Sequence, residues 1–327
     1  MKIFEQKIFE VSSESEFSEL ALEIFHFQAE HSPVYKEYIS LLGIKPESVR
    51  EIGQIPFLPV SLFKSADIIT EGYKPEIIFT SSSTTGMIPA KHPVAKISLY
   101  EKSFSAGFRY FYGDPGEYAI LSLLPSYLER EGSSLVYMAE SLMKQSGNPA
   151  NGFYLYNHSE LYENLKSLKK EETPVILLGV SFALLDFVEK FKLDFPNLTV
   201  IETGGMKGRR EELTREEIHE ALCTGFNTKY IHSEYGMAEL LSQSYSKGDG
   251  IFQSVPWMRI IIRDTSNPFK MVGNGVRGGV NIIDLANLYS CSFIQTDDLG
   301  IKEAGDSFRI LGRMENSEIR GCNLLLG

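Results

Sequence analysis

The sequence has few cysteines and no excess of basic residues. Its 327 residues include three cysteines, and 32 Lys and Arg stand against 43 Asp and Glu, a formal net charge of −11. Cys223, Cys291 and Cys322 are too widely spaced for a disulfide framework or for the paired ligands of a zinc site. Without a block of Lys and Arg there is no basic surface for a polyanion, so we expect no nucleic-acid partner.

Long hydrophobic runs are also missing. No stretch approaches the roughly 20 apolar residues that span a bilayer, and the N-terminal MKIFEQKIFEVSSESEF interrupts its apolar residues with charges, unlike a secretory signal. We therefore expect a cytoplasmic protein without a membrane span. Because 43% of the residues are hydrophobic, the chain can nevertheless bury a large core.

The apolar pattern predicts a single α/β unit over residues 1–327, because no repeat or linker divides it. Residues 1–75 form a mainly helical N-terminal region, in which the capping-box pair Ser13 and Glu16 predicts a helix near residues 14–30.

After residue 75 the pattern changes to short apolar runs. EIIFT, YAILSLLP, TPVILLGV and LTVIET each precede an amphipathic segment, which is typical of β-α units. Closely spaced strand signals divided by Gly, Asn and Asp turns then predict a β-rich C-terminal part, residues 250–327.

A hydroxyl-rich segment follows the EIIFT run. It consists of Ser81, Ser82, Ser83, Thr84, Thr85 and Gly86. If EIIFT is a strand, hydroxyl and backbone N–H groups of the loop that leaves it can converge on phosphate oxygens, while the glycine permits close approach. No Gly-Lys-Ser/Thr follows, and the same composition also suits a polar turn.

Four later stretches occur in a particular order: ETGGMKG, HSEYGMAE, IQTDDLG and LGRMENSEIRG. Together with the hydroxyl loop they resemble the motifs of the adenylate-forming superfamily of acyl-CoA synthetases, luciferases and peptide-synthetase adenylation domains. The resemblance implies a large domain with mixed β-sheets flanked by helices. Such members continue into a small mobile C-terminal domain with a catalytic lysine, for which we find no counterpart here.

The resemblance also implies a site for ATP and Mg²⁺. It assigns the phosphates to Ser81–Gly86, adenine to Gly204 and Gly205, the ribose to Asp298, the metal to Glu239, and the start of a hinge to Gly312–Glu315. In the YG motif it makes Tyr235, followed by Gly236, the aromatic ring of the nucleotide site, and by its chemistry Arg313 is a cation near developing phosphate charge. Each assignment suits the chemistry of the side chain, since an aromatic ring stacks, carboxylates accept from hydroxyls or bind Mg²⁺, and a guanidinium stabilises phosphate charge. His232 either orients the acyl carboxylate or packs beside the YGMAE loop.

A narrower resemblance is carried by LYEKSFSAGFRYFYG, LLPSYLEREGSSLVYMAESLMKQSG and IHSEYGMAELLSQSYS. These stretches are similar to the LuxE-like acyl-protein synthetase branch, which carries an acyl-accepting cysteine near the C-terminus. The resemblance implies that a carboxylic acid, in this branch a fatty acid, is converted to acyl-AMP and passed to Cys322. A partner protein, carrier or small thiol would then receive the acyl group. A structural role for Cys322 among the leucines that follow it remains open.

Three alternatives remain at this point. The chain would be an acyl-CoA ligase if a free small thiol accepted the acyl group directly. It would be a serine hydrolase if Ser181, in GVSFA, formed a nucleophile elbow with a later acid and histidine. It would be a non-catalytic nucleotide-binding protein if adenylation required the lysine for which we find no counterpart.

Overall fold

The computed structural model describes residues 2–81, 88–124, 132–204 and 213–314. Eight α-helices lie within these ranges: α1 Lys2–Lys7, α2 Glu14–His31, α3 Pro33–Leu41, α4 Ile97–Tyr112, α5 Ser134–Ser146, α6 His158–Lys170, α7 Ser181–Lys190 and α8 Arg215–Phe226. None of the helices in the described ranges is both long and apolar enough to cross a membrane.

Fourteen strands lie in the same described ranges. They are β1 Leu58–Pro59, β2 Ile77–Thr80, β3 Lys91–Val94, β4 Ala119–Leu123, β5 Gly152–Phe153, β6 Val175–Val180, β7 Thr199–Thr203, β8 His232–Tyr235, β9 Ser244–Ser246, β10 Phe252–Ser254, β11 Met258–Arg263, β12 Arg277–Asp284, β13 Phe293–Lys302 and β14 Phe308–Arg313.

Twelve of the described strands form one mixed sheet in the order β11-β12-β13-β14-β10-β9-β8-β7-β6-β4-β5, with β1 paired to β13. The strands from β5 to β8 in this order are parallel, and those from β8 to β11 alternate in direction. This is the mixed α/β architecture that the sequence predicted. Because the carboxyl ends of parallel strands share an edge, the residues after β6, β7 and β8 lie together there.

Helices cover both faces of the sheet around β8. The side chain of His232 stacks on Tyr112 of α4, and the next residue, Ser233, contacts His219 of α8. Neighbouring side chains of a strand point to opposite faces. Helices α4 and α8 therefore lie on opposite faces.

The capping box predicted at Ser13 and Glu16 is present at the start of α2. The buried face of α2, which includes Phe17, Ile24 and Phe25, packs into the core, and Phe25 meets Phe293 of β13 edge-on. The N-terminal helices are thus part of the main core.

The interpretation of EIIFT as the start of a β-α unit is wrong. The run forms β2, but the next described element is the antiparallel strand β3 instead of a helix. The β2–β3 pair forms a separate two-stranded sheet. The remaining runs behave as predicted, since β4, β6 and β7 are followed by α5, α7 and α8.

Two buried polar side chains fix the segment between β12 and β13. The carboxylate of Asp284 accepts from the backbone N–H groups of Leu241 and Ser242 at 2.8 and 2.9 Å and from the Ser242 hydroxyl at 2.6 Å. From the other side, Gln28 of α2 donates to the carbonyl groups of Asn287 and Leu288. The segment therefore joins the N-terminal helices to the chain that follows the YGMAE motif.

We predict that Asp284→Asn lowers the free energy of unfolding by about 3 kcal/mol, because in either orientation the amide NH₂ would face a buried N–H donor, those of Leu241 and Ser242 or that of Ala286. Urea unfolding of both proteins at neutral pH measures the difference. The matched control is Asp264→Asn, since Asp264 makes its hydrogen bonds within an exposed turn. An equal loss in the two variants would contradict the prediction.

Candidate active site

Three of the predicted site residues meet at the carboxyl edge of β8. The hydroxyl of Tyr235 donates to Oδ2 of Asp298 at 2.7 Å, and Nε of Arg313 lies 3.4 Å from Oδ1 of the same carboxylate. The β13–β14 register places Asp298 directly opposite Arg313. Burial raises the pKa of Asp298, while Tyr235 and Arg313 act in the opposite direction.

The tyrosine ring and the arginine differ in exposure. The Tyr235 ring packs edge-on against Phe252 and Phe308, each with centroids 6.0 Å away, and is only partly buried. The side chain of Arg313 is 82% exposed although its partner Asp298 is buried. An aromatic ring, a hydrogen-bond acceptor and an exposed cation thus lie side by side at an accessible edge.

Glu239 brings a buried carboxylate to the same region. It is 6% exposed, and within the described residues no other residue makes a hydrogen bond or an ion pair to its carboxylate. Burial raises its pKa, whereas the charges of Arg313 and Lys64 lower it and that of Asp298 raises it further. A buried carboxylate without a close partner is costly unless a ligand supplies the charge.

These residues fit a magnesium ion held mainly by substrate. The described part of the chain contains no group of three His, Cys, Asp or Glu residues that could hold a metal. Mg²⁺ does not require such a cage, because it is usually bound by one or two carboxylates together with substrate phosphates and water. The carboxylate of Glu239 provides a hard oxygen of this kind.

The backbone of the Glu239 loop is held by two buried side chains. Nδ1 of His92 lies 2.8 Å from the carbonyl oxygen of Ala238, and Nδ2 of Asn287 donates to the carbonyl oxygen of Glu239 at 2.8 Å. His92 belongs to β3, the strand that follows the hydroxyl loop. The β2–β3 hairpin is therefore tied directly to the loop that carries Glu239.

Ser81 closes the base of the hydroxyl loop. Its backbone N–H donates to the carbonyl oxygen of Ala90 at 3.0 Å, and its hydroxyl accepts from the Ala90 N–H at 2.9 Å. Seven predicted site residues lie outside the described residues: Ser82, Ser83, Thr84, Thr85, Gly86, Gly205 and Cys322.

Gly204 follows β7 at the same edge, with φ +68°. The β7–β8 register pairs Thr203 with Glu234, so Gly204 lies beside Tyr235 along the sheet. Ser181 Oγ is 2.7 Å from the Gly204 carbonyl oxygen and 2.8 Å from Oε2 of Glu202.

The surroundings of Ser181 do not form a hydrolase triad. Ser181 is 1% exposed, it is the first residue of α7, and the group beside its hydroxyl is a carboxylate instead of an imidazole. His219 lies on the other side of Glu202, with Nε2 3.6 Å from Oε1. In a triad the imidazole stands between serine and acid, so this order cannot activate the serine.

His232 lies at the opposite end of β8 from Tyr235, three residues or about 10 Å along the strand. Its ring stacks on Tyr112 with centroids 5.7 Å apart, and Nδ1 is 3.2 Å from the Tyr112 hydroxyl. Burial and the charges of Lys247 and His219 lower the pKa of His232 to about 4. The imidazole is therefore neutral near pH 7 and packs against Tyr112 of α4.

Glu234 is a buried acid that motif matching did not identify. It accepts a hydrogen bond from the Thr203 hydroxyl, and a Cβ atom at Gly236 would lie 2.4 Å from its Oε1. Gly236 thus allows the chain to pass close to this carboxyl group. Burial raises the pKa of Glu234 to about 7, although the Thr203 hydrogen bond acts in the opposite direction. Its position directly before the YG pair was the available signal, but its burial depends on packing against α4.

Comparison with protein families gives a match over the C-terminal part of the chain. The family described as acyl-protein synthetase, LuxE, matches residues 134–327, more than half of the chain. A search of curated protein sequences found no match.

Solved structures share the fold at low sequence identity. The 2-hydroxyisobutyryl-CoA ligase in an open conformation with 2-HIB-AMP and CoA superposes with a TM-score of 0.65 at 12% identity, covering 94% of this chain and 77% of the ligase. ATP-bound MatB from Rhodopseudomonas palustris has a TM-score of 0.56 at 14% identity, covering 72% and 47%.

A third structure is MenE, the O-succinylbenzoate coenzyme A synthetase from Bacillus subtilis, in complex with ATP and magnesium. It has a TM-score of 0.51 at 16% identity, covering 72% of this chain and 49% of MenE. The chain thus spans about half the length of MatB and MenE. Its fold is that of the large domain of adenylate-forming enzymes.

We predict that Glu234→Gln removes a pH dependence of stability. The folded state holds the Glu234 proton up to a pKa of about 7 instead of 4.5, so its stabilising effect is complete below about pH 4.5 and lost as the pH rises to 7. The unfolding free energy of the wild type should therefore fall by up to about 3 kcal/mol more than that of the variant over this range.

Urea unfolding at pH 5 and pH 8 measures this difference. The control Glu216→Gln makes the same chemical change at an exposed residue of α8 and should keep the wild-type dependence. If Glu234→Gln responds to pH as the wild type does, the carboxyl group does not titrate in this way.

Proposed function

Because the chain belongs to the acyl-protein synthetase family, we propose that it activates a carboxylic acid with ATP, forming acyl-AMP, and transfers the acyl group to a thiol. The observation that carries this proposal is the meeting of Tyr235, Asp298 and Arg313 at the carboxyl edge of β8. Glu239 lies in the loop that follows the same strand, and the charges of Asp298 and Arg313 both act on the pKa of its carboxyl group. Open α/β sheets bind ligands at such an edge.

The nucleotide is bound across the ends of β7 and β8. Adenine stacks on the exposed part of the Tyr235 ring and lies against the segment that begins at Gly204. The Tyr235 hydroxyl and Arg313 hold the Asp298 carboxylate in place, and its remaining lone pairs accept from the ribose hydroxyls. MatB and MenE, which share this fold, were solved with ATP bound, and this supports ATP as the nucleotide.

Glu239 would hold the metal that accompanies ATP. When bound, Mg²⁺ would reduce the negative charge that repels an incoming carboxylate from the phosphates. The hydroxyl loop from Ser81 to Gly86 adds donors to the phosphate oxygens, and Arg313, paired with Asp298 and exposed to the ligand side, adds positive charge near them.

The first chemical step is attack of a carboxylate oxygen of the acid on the α-phosphorus of ATP. The bond between that phosphorus and the oxygen bridging to the β-phosphate breaks, and pyrophosphate leaves with the bonding electrons. The protein contributes by orienting both reactants and by presenting donors where charge develops. We assign His232 no role in this step, because it lies at the other end of β8 and stacks on Tyr112.

In the second step a thiolate attacks the acyl carbonyl carbon, a thioester forms and AMP leaves. Cys322 is our proposed nucleophile, in agreement with the acyl-protein synthetase description of the family. The second candidate is a free small thiol, which is supported by the CoA bound to the 2-hydroxyisobutyryl-CoA ligase. The hydrolase alternative has lost its support, because Ser181 is buried beside a carboxylate.

We predict that Glu239→Gln lowers ATP–pyrophosphate exchange by about 100-fold or more, because the amide cannot replace a carboxylate on the metal. Exchange is assayed with a panel of fatty and aromatic acids. The variant should unfold at the same or a higher urea concentration than the wild type at pH 8, because burial already raises the pKa of this carboxyl group.

Glu216→Gln is the control for the exchange assay and should retain wild-type exchange. Wild-type exchange in Glu239→Gln at limiting Mg²⁺ would show that Glu239 does not bind the metal. No exchange by the unmodified protein with any acid would favour the non-catalytic alternative.

We predict one acyl adduct on the protein after incubation with ATP and a competent acid. Intact-mass measurement should show that hydroxylamine removes the adduct, as expected of a thioester, and that Cys322→Ser abolishes it while exchange persists. Cys223→Ser is the control and should keep the adduct. Persistence of the adduct in Cys322→Ser, or release of acyl-CoA without any adduct, would favour a small-thiol ligase.

A further inference from the structure

A small cavity lies beside the loop that carries Glu239. Its volume is about 10 Å³, and His92, Asn287 and Ser290 are among the residues that line it. His92 and Asn287 are 1% and 0% exposed. Each of the two has one buried polar atom, Nε2 of His92 and Oδ1 of Asn287, with which no described residue forms a hydrogen bond.

The hydrogen bond made by the other polar atom of each side chain shows whether Nε2 of His92 and Oδ1 of Asn287 are donors or acceptors. Nδ1 of His92 faces the carbonyl oxygen of Ala238, which only accepts, so Nδ1 carries the proton. Burial lowers the pKa of His92 to about 4, which keeps the ring neutral and makes Nε2 an acceptor. Asn287 turns its NH₂ group to the carbonyl oxygen of Glu239, so Oδ1 is also an acceptor.

Two buried acceptors cannot satisfy each other. They need a small donor with two hydrogens, and a cavity of this size holds about one water molecule, for which roughly 10–15 Å³ is enough. The hydroxyl of Ser290 is already used, since it donates to the carbonyl oxygen of Ile68 at 2.8 Å. Edge-on packing of Phe63 against the His92 ring, at 5.6 Å, restricts the direction of Nε2.

We infer that one water molecule bridges Nε2 of His92 and Oδ1 of Asn287 and that the three groups act as a unit that positions Glu239. The unit holds two successive carbonyl groups, those of Ala238 and Glu239, and thereby fixes the direction of the Glu239 side chain. This assignment of His92 and Asn287 as positioning residues rests on the proposed metal-binding role of Glu239. Groups that orient a metal ligand commonly change metal affinity by about 10–100-fold when they are removed.

The bridging water is tested directly by a high-resolution crystal structure of the full chain. We expect density for one ordered water within hydrogen-bond distance of both Nε2 of His92 and Oδ1 of Asn287. An ordered water bonded to only one of them, a dry cavity, or a direct contact between the two side chains would overturn the bridge. This result does not depend on enzymatic activity.

The positioning role is tested by a double-mutant cycle with His92→Phe and Asn287→Leu. Binding of Mn²⁺ in the presence of ATP, followed by electron paramagnetic resonance, should weaken by about 10-fold in each single variant. The double variant should also bind Mn²⁺ about 10-fold more weakly than the wild type. Independent effects would give about 100-fold, but removing either end already destroys the bridge. The control is Ser290→Ala. Ser290 lines the same cavity but its hydroxyl donates to Ile68, so this variant should bind Mn²⁺ as the wild type does.

Urea unfolding provides the matching structural measurement. Each single variant leaves one buried acceptor without a partner, so the double variant should lose less stability than the sum of the two single losses. Additive losses in both measurements, or unchanged Mn²⁺ affinity in folded single variants, would overturn the positioning role. Failure of the unmodified protein to bind Mn²⁺ with ATP would instead contradict the proposed function, and the crystal structure would still decide the bridge.

Discussion

The burial of Asp284 is the constraint on which the site depends. A carboxylate with no exposure must find donors, and Asp284 finds them in Leu241 and Ser242, the residues that follow the YGMAE loop. The segment after Asp284 in turn contacts Glu239 through Asn287 and the N-terminal helices through Gln28. The short connection between β12 and β13 therefore contacts both the N-terminal helices and the loop that carries the candidate metal ligand.

The acids near β8 differ in what they contact, and this separates their roles. Asp298 is paired with Tyr235 and Arg313, which keeps an acceptor fixed at an accessible edge. Glu239 is buried, and none of the other described residues hydrogen-bonds or forms an ion pair with its carboxylate. Glu202 is also buried, but His219, Arg215 and Ser181 outweigh the effect of burial and lower its pKa, so it is a paired structural acid. Of these three acids, Glu239 is therefore the one for which the described residues supply no close partner.

Much of the fold could be predicted because its signals are local. The capping box of α2 and the apolar runs of β4, β6 and β7 require only neighbouring residues. The prediction that EIIFT begins a β-α unit was wrong because an apolar run identifies a strand but not the element that pairs with it. The partner of this strand is β3. His92 could not be recognised as part of the site, since 146 positions separate it from Ala238, whose carbonyl oxygen it contacts.

The sequence by itself determined the identity and order of the motifs, because their residue types are needed for the chemistry and can be read without coordinates. It also determined the alternation of strands and helices, which follows from side-chain periodicity. Only the tertiary structure decided that Tyr235, Asp298 and Arg313 meet, that Ser181 faces a carboxylate, and that His232 lies away from the carboxyl edge. Those facts depend on strand order, register and burial, which arise when distant segments pack and are not encoded in any local pattern.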